Sequence, residues 1–178
     1  MSWVSPVPYA LISADSEEAA ASLKPGEVIV PVSPHKGAFG MGRVRHVHEG
    51  IDFYCPPGTV VSTVEEGHIV ALTPFTGSQA RSDWWRDTDA VLVEGKSGVI
   101  VYAEVRPLKE LMPGQHVKQG QPIGHINKVV RDGRPDGLLH LELHKHGTRK
   151  CEWWKVGGEK PEPLLDPTPY LIKICRNS

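Results

Sequence analysis

A chain of 178 residues with 39% hydrophobic and 23% charged residues has the composition of an ordinary globular domain, not of a disordered segment. Its 20 Lys and Arg stand against 21 Asp and Glu, so the formal net charge is −1 and no long-range field draws it to nucleic acid or to anionic lipid. Arg43 and Arg45 are the nearest thing to a basic cluster, and no segment approaches the ~20 apolar residues of a membrane span.

In chain order, the first 22 residues have no basic start and no continuous apolar run of signal-peptide length. The expectation is no signal peptide, a cytoplasmic location by default, and otherwise export by a non-classical route. Residues 13–23 (SADSEEAAASL) predict one short N-terminal helix, capped by Ser13 or Asp15. Glu18, three residues after Asp15, favours Asp15 as in a capping box. Lys24-Pro25-Gly26 stops that helix, and residues 27–32 read as a strand.

From there the chain predicts an all-β fold. The 18 Gly and 16 Pro punctuate many short strands. Residues 59–64 and 68–72 flank Glu65-Glu66-Gly67 as a hairpin, and residues 90–94 and 99–105 flank Gly95-Lys96-Ser97-Gly98 as another. Residues 116–118 and 121–126 bracket Gly120, and residues 139–144 alternate strictly. Trp84, Trp85, Trp153 and Trp154 fall in loops, one pair expected to cap the β structure and the other to line a groove. Residues 147–169 are expected to wrap the surface as irregular structure.

Three segments carry candidate chemistry. If His48-Glu49-Gly50-Ile51-Asp52 is extended, His48 and Asp52 share a face, with Gly50 leaving the space between them free. Imidazole and carboxylate donors on one face can reach one zinc ion at about 2.0–2.2 Å. In residues 139–144, Leu139, Leu141 and Leu143 fill one face, and His140, Glu142 and His144 fill the other. That face is either the solvated side of an edge strand or part of a ligand set. In residues 99–105, Ile100, Tyr102 and Glu104 share a face by alternation. Glu104 is then either a strand-end acid paired with Arg106 or an acid facing a site. The 9 His raise the expectation of a metal or acid–base site. His35, His68, His116, His125 and His146 are expected on the surface or in turns. Cys55, Cys151 and Cys175 have no CxxC spacing and allow at most one internal disulfide.

Together these motifs resemble the lysostaphin/LytM-type zinc metallopeptidases, which cut peptidoglycan cross-bridges. Phe39-Gly40, Arg43 and His48-x-x-x-Asp52 resemble that family's "FG…R…HxGxD" segment. Pro57-Gly58-Thr59-Val60-Val61 with Gly67-His68-Ile69-Val70 is similar to its "GTPV…GxV" pattern, and residues 99–105 to its "YAHL" strand. Residues 117–124 are similar to its "VxxGQxIG" turn, residues 138–142 to its "HxHxE" strand, and Asp166-Pro167 with Tyr170-Leu171 to its ending.

The resemblance implies a compact antiparallel β-sandwich or barrel-like duplicated hybrid motif. It implies an N-terminal extension over 1–38 packing on the domain, a metallopeptidase-like β domain over 39–171 and a tail over 172–178. It implies one Zn2+ held by His48, Asp52 and His140, and a peptide or peptidoglycan-like substrate. The family's two catalytic histidines fall on Glu104 and Leu138. Glu104 is the expected replacement base, with His46, Tyr102, Glu142 and His144 as groove or supporting residues. The alternative is a catalytically inactive, chemotaxin-like zinc-containing binding protein on the same fold. A biotinyl/lipoyl-like carrier, suggested by residues 117–124, lacks the Met-Lys hairpin tip.

Overall fold

The computed structural model describes residues 2–80, 82, 85–129 and 137–175. Trp84 lies outside them. Eleven strands occur among the described residues: β1 Ala10–Ala14, β2 Glu27–Pro31, β3 Ile51–Tyr54, β4 Val60–Ser62, β5 Gly67–Thr76, β6 Thr88–Gly95, β7 Val99–Pro107, β8 His116–Val117, β9 Pro122–Ile126, β10 Leu138–His144 and β11 Leu164–Leu165. β1 and β2 pair in parallel as a two-stranded sheet; the other nine form one sheet in which every pairing is antiparallel. The architecture is therefore mostly antiparallel β.

The expected N-terminal helix is replaced. Residues 13 and 14 finish β1, and only Glu17–Ser22 coil, as a 3-10 helix starting after Ser16, not Ser13 or Asp15. Leu11 is buried in the main core, whereas no residue of the 3-10 helix is buried. A short polar-faced segment gains little from becoming an α-helix. The one α-helix among the described residues, α1 Thr168–Cys175, lies at the other end of the chain. Asp166 Oδ1 accepts from the Thr168 backbone N–H at 2.8 Å, and Pro169 sits in the first turn.

The expected hairpin around residues 65–67 is also replaced. β4 pairs with β9, and β5 with β6 and β8. Glu65 is buried there and ties distant pieces together: it accepts from Trp3 Nε1 at 3.2 Å and from the Ser97 backbone N–H at 2.8 Å. The hairpin at residues 95–98 forms, joining β6 to β7.

The main core packs Ile51 and Phe53 of β3, Ile100 and Tyr102 of β7, and Leu139, Leu141 and Leu143 of β10 with Trp3, Val7 and Leu11. A smaller cluster, Ala90, Leu92, Val99, Val101 and Ala103, lies on the opposite face of β6 and β7. Strand alternation assigns each residue to one cluster or the other. No disulfide joins the described cysteines; burial pushes the Cys55 thiol up to about 12, so it stays protonated. None of the described helices is long and apolar enough to cross a membrane.

Candidate metal centre

The register of β10 builds the site. His140 stands opposite Asp52 of β3 on one side and Ala103 of β7 on the other, while Leu141 stands opposite Ile51 and Tyr102. Cross-strand partners share a face. The Asp52–His140–Ala103 row therefore lies on the side of the smaller cluster, and the Ile51–Leu141–Tyr102 row in the main core. His144 and Glu142 share the site side, but they are fully buried, not solvated. β10 is thus a central strand covered on both faces.

His48 lies before β3 begins. Backbone hydrogen bonds from Gly40 N–H to His48 O and from His48 N–H to Met41 O, at 2.9 and 2.8 Å, fix its approach. Gly50 is required for the passage: a Cβ there would lie 2.4 Å from Leu141 O and 3.0 Å from His140 Cε1.

Three donor atoms converge, all from buried residues. His48 Nε2 is 3.0 Å and His140 Nδ1 is 2.8 Å from Asp52 Oδ1, and the two nitrogens are 3.1 Å apart. Each of the three side chains is held from behind. His48 Nδ1–H donates to Ala38 O at 2.8 Å, His140 Nε2–H donates to Glu142 Oε1 at 3.0 Å, and Arg43 donates to Asp52 Oδ2 at 2.5 Å. These outer bonds leave the lone pair of each imidazole pointing inward. Burial disfavours the Asp52 carboxylate, but the charge of His48 and the hydrogen bonds from both histidines outweigh it and hold the group well below its usual range. Burial likewise disfavours protonated His140, yet its bonds to Asp52 and Glu142 prevail and raise it. One shared proton satisfies only part of this triangle. A divalent cation would satisfy all three donors, and an N, N, O set is a common zinc set that leaves a fourth position open.

Glu104 reaches the site by an irregularity. Asp89 pairs with Val105 and Ala90 with Ala103, so Glu104 has no partner on β6. It sits at φ +62°, the left-handed region that a non-glycine residue rarely adopts. This bulge separates it from Tyr102, correcting the face that simple alternation gives it. Glu104 Oε2 is buried without a hydrogen-bond partner, and no pair with Arg106 forms among the described residues. Burial first, then the charge of Asp52, push the carboxyl up to about 8, while His140 and Arg43 act in the opposite direction.

The other candidates scatter. Tyr102 does not reach the groove: its hydroxyl accepts from the Val64 backbone N–H at 2.8 Å inside the main core. His144 lies behind the site, donating from Nε2 to Glu142 Oε2 at 2.5 Å, with Nδ1 unpartnered. Glu142 thus bridges His140 and His144. His46 is on the rim, 3.6 Å from Glu49 Oε2 and against the exposed ring of Trp153 at 4.7 Å. Trp154 packs on Phe39 at 5.8 Å, and His35, expected on the surface or in a turn, lies in a turn but is buried, accepting from Gly37 N–H at 2.9 Å. Tyr54, which the sequence reading did not single out, is two residues beyond Asp52 and directly opposite Leu138. Strand periodicity after Asp52 was the signal that could have found it.

The protein is thus a mostly antiparallel β scaffold carrying a His, Asp, His cluster able to hold a metal ion. The model of peptidase family M23 matches residues 46–151, more than half of the chain, and the chain belongs to that family. Comparison with curated protein sequences gave no match. Among solved structures, the antimicrobial peptidase lysostaphin from Staphylococcus simulans is 20% identical, with 77% of this chain and 48% of that one covered and a TM-score of 0.52. CbpA from L. salivarius REN is 20% identical, with 80% and 88% covered and a TM-score of 0.50. A zinc-containing peptidase from Vibrio cholerae is 24% identical, with 54% and 26% covered and a TM-score of 0.41. This chain therefore spans less than half of lysostaphin and about a quarter of the Vibrio protein. At such identities the likeness concerns the fold.

Proposed function

We propose that the protein is a zinc-dependent metallopeptidase that hydrolyses peptide bonds, in peptidoglycan-type or other peptide substrates. His48, Asp52 and His140 would hold one Zn2+, and Glu104 would serve as the base. Zinc bound there would supply Lewis acidity toward the scissile carbonyl and toward water.

Glu104 carries the reading. A left-handed non-glycine backbone and a buried, unpartnered carboxylate oxygen each cost stability, and costs of that kind collect where a side chain is held for function. A cation among the three donors would favour its ionised form over the neutral one that burial alone favours. Ionised, Glu104 takes a proton from the attacking water as oxygen bonds to the amide carbon. It returns that proton to the leaving nitrogen as the C–N bond breaks, so it ends as it began. Ala103, its neighbour, stands beside His140 and thereby sets Glu104 next to the row of ligands.

The test is cleavage of oligoglycine and cell-wall peptides by the zinc-loaded chain, with and without a chelator, beside Glu104→Gln. Chelator-sensitive cleavage that Glu104→Gln loses is the expected result. Equal cleavage by parent and variant removes Glu104 from the chemistry. Zinc uptake with no cleavage by either favours the binding-protein alternative, which the apolar Leu138 on the site side of β10 supports.

A further inference from the structure

Amide hydrolysis also needs a donor to the oxygen on which negative charge grows. Around the converging ligand atoms several hydrogen-bearing groups already have partners. Arg43 donates to Asp52 and to Lys36 O. His46 is held between Glu49 and Trp153. Leu138, two residues before His140 on the same side of β10, has no polar side-chain atom.

Tyr54 differs from all of these. On β3 it follows Asp52 by two residues, so it points to the same face, and it stands directly opposite Leu138. Gly37 lies against both side chains: a Cβ built there would be 3.3 Å from Tyr54 Cε2 and 3.4 Å from Asp52 Cβ. The His35 ring, 6.4 Å away by centroids, braces the phenol from the same turn. About half of Tyr54 is open, at 51% exposure. Its hydroxyl makes no hydrogen bond among the described residues. Two residues along a strand span roughly 7 Å, a gap that a tyrosine closes by leaning along the strand direction.

Resting on the hydrolase reading above, we propose that the Tyr54 hydroxyl donates a hydrogen bond to the scissile carbonyl oxygen and to the oxyanion that develops from it, in the row where Leu138 offers no donor. The phenol moves no proton; it stays neutral and only stabilises charge.

The experiment uses the full chain loaded with zinc. Metal content is measured first. Inorganic phosphate and a phosphinate analogue of a Gly-Gly bond, both tetrahedral anions, are then titrated by calorimetry into the parent and Tyr54→Phe. The expected result is binding about 10- to 100-fold weaker in Tyr54→Phe, with zinc content and Tm unchanged. On any peptide the parent cleaves, kcat should fall about 10²-fold with little change in KM. Recovery of anion binding in the double variant Tyr54→Phe, Leu138→His would place the donor independently in this row. Equal anion binding by parent and Tyr54→Phe overturns the role of Tyr54 and leaves the metal ligands and Glu104 untouched. A parent that takes up no zinc overturns the hydrolase reading and this one with it, and the metal analysis alone reveals it.

Discussion

At the His48–Asp52–His140 end of the site, each of the three side chains is pinned from behind, to Ala38, Arg43 and Glu142. Beside it, around Glu104, Leu138 and Tyr54, a buried carboxylate oxygen has no partner and one residue sits at φ +62°. The first region is arranged so that donor positions are set before anything binds, which lowers the cost of ordering them. The second stores unpaired groups and backbone strain, features that stabilise nothing in the free protein. On the function proposed above, a single face of one sheet separates holding from reacting.

Four substitutions break or sharpen that contrast. The largest effect is expected at the pinned end. His140→Ala removes one donor of three, and metal analysis of the purified variant should show zinc well below one equivalent; full retention would abolish the distinction between the two regions. Next, Glu104→Gln keeps the shape and removes the proposed base. Cleavage should fall about 10²–10⁴-fold while zinc content stays at the parent level. Loss of zinc in this variant would mean that Glu104 belongs to the holding end.

A smaller change is expected from Glu142→Gln. The amide can no longer accept equally from His140 and His144, so His140 is less firmly oriented. Zinc affinity measured by chelator competition should drop about 10- to 100-fold, with metal still bound at saturation. The smallest change has the opposite sign. Glu104→Gly relieves the left-handed backbone and removes the orphaned carboxylate. Urea unfolding of the metal-free chain should show a gain of about 1–2 kcal/mol, alongside loss of cleavage. A loss of stability instead would show that Glu104 is held by favourable contacts and is not strained.

Much of the holding end was legible in the chain. Residues 139–144 alternate strictly, so Leu139, Leu141 and Leu143 had to part from His140, Glu142 and His144 whatever strand lay beside them. The spacing of His48, Gly50 and Asp52, together with the family resemblance, singled out residues that the structure brings within 3.1 Å of one another. The other end was less legible. Alternation put Glu104 with Tyr102, but a bulge is a property of two strands, and it shows only where Asp89 and Ala90 skip a residue opposite. Tyr54 matters because of the residue across from it, and Leu138 lies more than eighty positions away. The helix expected over residues 13–23 failed for a related reason: pairing of β1 with β2 buries Leu11, a gain that local propensity does not contain.

What the sequence determined by itself was local and periodic: the all-β character, the turn-rich punctuation and the two faces of β10, while the family resemblance singled out His48, Asp52 and His140. What the tertiary structure decided was register: which residue stands opposite which, where a strand takes in an extra residue, and which side chain is left without a partner. The physical reason is range. Side-chain alternation follows from the geometry of one strand, whereas cross-strand pairing and burial depend on chain segments far apart in sequence that meet only in the folded sheet.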